Sequence, residues 1–128
     1  TLWQKEMKHL VLIAVAGAIG ALSRYGLVTW IGEKNFPVGT MTANVLGSCL
    51  MGLAYVLIVE KGLVPADMKP LVMTGFLGAF TTFSAFSLEA WQLIDRGDFL
   101  SALAYIGGSV ILCITALFVS VLLTRLAI

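Results

Sequence analysis

From Gly75 to Ser87 the chain reads Gly-Phe-Leu-Gly-Ala-Phe-Thr-Thr-Phe-Ser-Ala-Phe-Ser. Hydroxyls, small residues and phenylalanines crowd a stretch otherwise apolar enough to cross a bilayer. Phe83 and Phe86 stand three apart and share a helical face, while Ser84 and Ser87 share the neighbouring one. These are not the parts of an enzyme: the sequence offers no nucleophile–base arrangement and no metal-ligand motif. They suit a place where something small and polar passes. An aromatic ring is negative on its face and positive at its edge, so phenylalanine edges can face a small anion. Hydroxyl and amide protons can then replace the water the anion sheds. Carboxylates, which a cation pathway would use, are absent from the mid-span regions, and Glu89 falls near the far end of its segment. The combination suits a small, strongly hydrated halide.

Other polar residues fall in register. Thr40, Asn44 and Ser48 repeat every four residues and form one stripe. Two readings are open: interhelical hydrogen bonds, or a pore lining in which the Asn44 amide offers two donors to an anion. Tyr105, Ser109 and Cys113 make a second line, with Thr115 off it and Gly107 and Gly108 allowing close approach. Packing and pore are both open there too. Arg24 is the one basic residue placed within a span, where charge is costly and is either functional or paired. Gly78 followed by the β-branched pair Thr81-Thr82 predicts a break in the helix near 78–82. Carbonyls freed at such a break are tolerated only where protein or a lined cavity satisfies them, and they can hold a cation. Cys49 and Cys113 read as small packing residues, and His9 as an interfacial side chain.

The elements that must position these residues follow from composition. The 128-residue chain is 59% hydrophobic and 12% charged, against about 25% charged in a soluble domain. Lipid is therefore its solvent, and a formal net charge of +1 excludes binding driven by nucleic-acid phosphates. Four apolar segments, at 9–31, 38–59, 69–94 and 99–124, each reach the roughly 20 residues a helix needs to span. Backbone groups in lipid must pair internally, so an all-α membrane protein is predicted, as one domain over residues 1–128. The first segment is too long and lacks the cleavage signature of a signal peptide. Short linkers at 33–37, 60–68 and 95–98 join the spans. Trp3, Trp30 and Trp91 fall near segment ends, as interfacial rings do. Small-residue pairs (Gly17 with Ala21, Ser48 with Gly52, Gly75 with Ala79, Ala104 with Gly108) predict tight helix contacts. Lys5, Lys8, Lys61, Lys69 and Arg125 lie on the side of the termini, and Lys34 and Arg96 on the other. That bias modestly favours cytoplasmic termini and permits both orientations.

Three motifs resemble the Fluc (CrcB-type) fluoride channel family over nearly the whole chain. They are Gly20-Ala21-Leu22-Ser23-Arg24-Tyr25, then Gly39-Thr40-Met41-Thr42-Ala43-Asn44-Val45-Leu46-Gly47, then Thr74-Gly75-Phe76-Leu77-Gly78 leading into Thr81-Thr82-Phe83-Ser84-Ala85-Phe86-Ser87 and Glu89. The resemblance implies an antiparallel dual-topology homodimer in the cell membrane, with two fluoride pores. It implies that Phe83, Phe86 and Asn44 line the pore, beside Ser84 and Ser87, with Tyr105, Ser109 and Thr115 as a hydroxyl track. It places Arg24 near an anion-attracting vestibule. The backbone carbonyls of Gly78 and Thr81 would hold a structural sodium ion at the dimer interface. Departures from the family pattern are Ala85 for threonine, Ala79 for a second glycine and Cys113 for serine. Two rivals make different demands. A small four-span proton-coupled multidrug exporter needs a membrane-embedded carboxylate, and residues 10–21 contain none. A non-transporting assembly subunit would show no ion flux when reconstituted alone.

Overall fold

A computed structural model describes residues 1–32 and 34–128. Of the linker expected at 33–37, Glu33 lies outside the described residues. Four helical segments are long and apolar enough to cross a membrane, Leu2–Ile31, Val38–Glu60, Ala66–Asp95 and Phe99–Ala127. We call the first α1 and the second α2. The third is interrupted, giving α3 over 66–80 and α4 over Phe83–Asp95; the fourth is α5.

α1 begins earlier than its apolar run, at Leu2 rather than residue 9. The Thr1 hydroxyl accepts from the Gln4 amide, and the Gln4 side chain answers back, closing a capping box. Its 30 residues run to about 45 Å at 1.5 Å rise, longer than a hydrocarbon core of about 30 Å. The turns carrying Trp3, Lys5 and Lys8 therefore extend beyond the apolar slab. The last turns of α2, Tyr55–Glu60, and the stretch Pro70–Leu77 of α3 wind wider, as π-helix. They pack together around Ala54, Ile58 and Leu77.

α2 lies along α5, and α1 lies along α3. Gly20 makes the second contact possible: a methyl group there would strike the Phe76 carbonyl. A second core, Phe86, Ala90, Leu93, Ala102 and Tyr105, joins α4 to α5. The turn between them is short because Gly97 takes φ +82°, a conformation open to glycine. Its N–H reaches the Ile94 carbonyl, and that of Asp98 reaches Leu93. At the opposite end, Arg125 Nε donates to Glu60 Oε1 at 2.8 Å and ties α5 to α2. Little of this surface is self-covered. Only 6% of the α1 span and 11% of the α5 span are buried, which leaves the outer faces to lipid or to another chain.

Candidate functional site

The break is narrower than the sequence implied. Gly78 is still helical (φ −62°, ψ −33°), and the chain is extended only at Thr81 and Thr82. Several side chains hold the loose ends. Thr81 hydrogen-bonds Leu77 O with both its N–H and its hydroxyl, at 3.0 and 2.9 Å. The Thr82 hydroxyl caps α4 by accepting from Ala85 N at 3.1 Å. Asn44 on α2 grips Thr82 at both polar groups. Its Nδ2 donates to Thr82 O at 3.1 Å, and its Oδ1 accepts from Thr82 N at 2.8 Å. One Asn44 proton is thus committed to the break and the other remains free.

Arg24 reaches the same place. Its Nε donates to Ala79 O at 3.3 Å, next to the carboxyl end of α3, where the helix dipole favours a cation. The structure therefore gives Arg24 a partner at the break. Among the described residues, no hydrogen bond engages the carbonyls of Gly78 or Thr81.

Beside the break runs a groove of about 350 Å³. Asn44, Ser48, Thr82, Phe83, Phe86 and Ser109 are among the residues that line it. The rings of Phe83 and Phe86 lie 5.4 Å apart, tilted by 50°. Phe86 is buried, whereas Phe83 is 77% exposed, so the groove lies open on one side. Among the described residues, none that lines it is charged. The Ser109 hydroxyl is buried and, among the described residues, has no hydrogen-bond partner, which is costly for a buried polar group.

The structure brings some expected residues to this groove and leaves others outside. Asn44, Phe83, Phe86 and Ser109 meet there. Ser84 is exposed and bonded to the Thr82 hydroxyl, and Ser87 turns back to Phe83 O at 2.9 Å. Thr115 is exposed and outside the groove, because two residues of helix turn it about 200° away from Cys113. The α5 positions that do line the groove are Ser109, Val110, Cys113, Ile114 and Leu117.

Tyr105 is fully buried behind Phe86, ring centroids 5.1 Å apart. Its hydroxyl donates to Glu89 Oε2 at 2.9 Å, and the Thr40 hydroxyl donates to Glu89 Oε1 at 2.7 Å. The sequence reading gave Glu89 no role. Its position three residues past Phe86, continuing the Phe83–Phe86 line, is the signal that marks it. Glu89 borders a second cavity of about 400 Å³, toward the 33–37 and 95–98 linkers, which Lys34 and Arg96 also line. Arg96 donates to Asn35 O and so pins one linker to the other. Phe86 borders the groove and Glu89 the cavity, and Tyr105 packs on the first and bonds to the second.

Comparison with known proteins agrees with the motifs. Residues 11–121 match the family described as CrcB-like protein, Camphor Resistance (CrcB). A protein of Hahella chejuensis named fluoride-specific ion channel FluC is 50% identical over 124 residues, covering 94% of this chain and 98% of the relative. Proteins of the same name from Saccharophagus degradans and Magnetococcus marinus are 46% and 45% identical. They cover 88% and 92% of this chain, and 86% and 98% of their own lengths.

Proposed function

This chain belongs to the CrcB-like family, and from that premise we propose that it is a fluoride-specific ion channel. It is a multi-pass protein of the cell membrane that lets fluoride leave passively, and it is not an enzyme. In acid surroundings fluoride enters as neutral hydrogen fluoride, ionises in the more alkaline interior and is trapped there. An inside-negative potential drives the anion outward with about 2.3 kcal/mol per charge per 100 mV.

The observation that carries the reading is the uncharged groove with its unpartnered, buried Ser109 hydroxyl. An anion there would meet neutral donors, the Ser48 hydroxyl and the second Asn44 proton, with the covered Ser109 hydroxyl reached once the side chains over it shift. The edges of Phe83 and Phe86 would supply the rest of its shell. Several weak donors allow entry and escape, where one fixed cation would trap the ion. Lys34 and Arg96 at the second cavity would gather anions at its mouth.

The groove is open on one side, and a second copy is its natural cover. Two chains inserted antiparallel would place two grooves, hence two routes, in one homodimer. The unengaged carbonyls of Gly78 and Thr81 fit a hard monovalent cation, and a structural sodium ion held there would pin the break and lend positive charge at mid-depth.

Fluoride efflux from proteoliposomes, with chloride as the control, tests the reading. Fluoride should leave and chloride should not. Phe83→Ile or Phe86→Ile should slow fluoride at least about tenfold, equal to about 1.4 kcal/mol at the barrier. Unchanged efflux from a well-folded Phe83→Ile/Phe86→Ile double variant rejects the pore assignment.

A further inference from the structure

Arg24 lines neither the groove nor the second cavity, and among the described residues no carboxylate pairs with it. A charged side chain kept within a span at that cost has a use. The contacts that lead to it show which. α1 crosses α3 on a face of small residues: a methyl group at Gly75 would strike Ile13 O, and one at Gly20 would strike Phe76 O and lie 3.2 Å from Ala79 Cβ. Gly20 is itself buried, so the two backbones touch there. Arg24 is the next residue on that face, one turn on. Its Nε reaches Ala79 O at 3.3 Å, just before the chain turns extended at Thr81 and Thr82. Across the break, Asn44 of α2 holds Thr82. The interruption is thus gripped at both ends, by a different helix at each, and α4 starts with Phe83 directly after it. We propose that Arg24 is a positioning residue for fluoride conduction. It holds the carboxyl end of α3 through the inner N–H of its guanidinium, and so fixes where α4 starts and where Phe83 and Phe86 stand. The charge strengthens the bond and suits the helix dipole, but the N–H is the working part. The effect on conduction rests on the groove being the fluoride route, whereas the hold on the break does not.

Three substitutions separate the donor from the charge. Glutamine carries an amide N–H as many bonds from the backbone as Nε, without the charge. Lysine keeps the charge but sets its donor one bond further out, and methionine matches the reach to Nε while offering neither. Arg24→Met should slow fluoride efflux from proteoliposomes by about tenfold. It should also speed amide hydrogen exchange around residues 80–84 while leaving α5 as in the parent. Arg24→Gln should recover most of both, and Arg24→Lys less than Arg24→Gln. A glutamine variant as slow as the methionine one, or a lysine variant faster than the glutamine one, makes charge the working part and overturns the proposal. A methionine variant that conducts at the parental rate overturns it too, as does faster exchange spread evenly over all the helices. If Arg24→Met does not fold, the order of the glutamine and lysine variants decides alone. Faster exchange confined to the break, in a protein whose parent passes no fluoride at all, would support the hold while sinking the channel reading.

Discussion

Asn44 shows how a single side chain can satisfy two backbone groups. Breaking a helix at bilayer depth exposes an N–H and a C=O that lipid cannot satisfy. A side-chain amide carries the complementary pair in one plane, and Asn44 presents both to Thr82. Replacing it by alanine strands both groups, at a cost of about 1–3 kcal/mol for each one left buried and unpaired. Asn44→Ala should therefore lower the thermal unfolding midpoint in detergent as well as fluoride efflux. Asn44→Asp still accepts from Thr82 N–H but sets a second carboxylate oxygen against Thr82 O at bilayer depth, where charge is costly. The aspartate variant should be no more stable than the alanine variant, and its charge, repelling fluoride, should make it conduct no better. An alanine variant as stable as the parent would remove Asn44 from the architecture of the break.

At the level of elements, the interrupted third span depends on space made by its neighbour. A methyl group at Gly47 would overlap the Thr81 Cγ2 and lie 3.3 Å from the Phe80 ring. Gly47→Ala should push the extended residues away from Asn44, costing about 1–3 kcal/mol as overpacking does. Thr81→Ser removes Cγ2 and keeps the hydroxyl bonded to Leu77 O. Adding it to Gly47→Ala should recover most of the lost stability and efflux; a double variant no better than the single one would show that Gly47 acts elsewhere. This coupling was invisible in the sequence, where Gly47 and Thr81 stand far apart. What was legible followed from one-dimensional signals. Hydropathy located the four spans, the β-branched pair after Gly78 located the interruption, and the three-residue spacing paired Phe83 with Phe86. Hydropathy missed the first turns of α1, which a capping box closes among polar residues. Spacing set Thr115 off the line of Tyr105, Ser109 and Cys113, and it lies outside the groove, but spacing could not show that Arg24 and Asn44 are held by backbone groups of another segment. Those facts depend on how helices meet.

For the molecule as a whole, the open groove is the feature that the proposed second copy would cover. The exposed Phe83 and the bare carbonyls at the break lie partway through the membrane span. A two-fold axis lying in the membrane plane brings such mid-depth features of two copies together, because an isologous contact sets one patch against itself. An axis along the membrane normal would instead require all copies to share one orientation. The distribution of basic residues opposes the first arrangement only modestly. Lys5, Lys8, Lys61 and Lys69 favour cytoplasmic termini, while Lys34 and Arg96 pull the other way. The antiparallel assembly therefore makes a sharp demand. With Cys49→Ala and Cys113→Ser as background, a cysteine at Asp98 should react with an impermeant maleimide from outside intact cells in about half of the chains. The remainder should react only after the membrane is opened. Labelling confined to one side would exclude the antiparallel pair, and the groove would then need a cover of another kind. Lys34→Glu with Arg96→Glu should strengthen the bias and drive the labelled fraction toward one side. If two orientations are needed to build one pore, fluoride efflux should fall with the loss of the minority orientation, even though every residue lining the groove is unchanged.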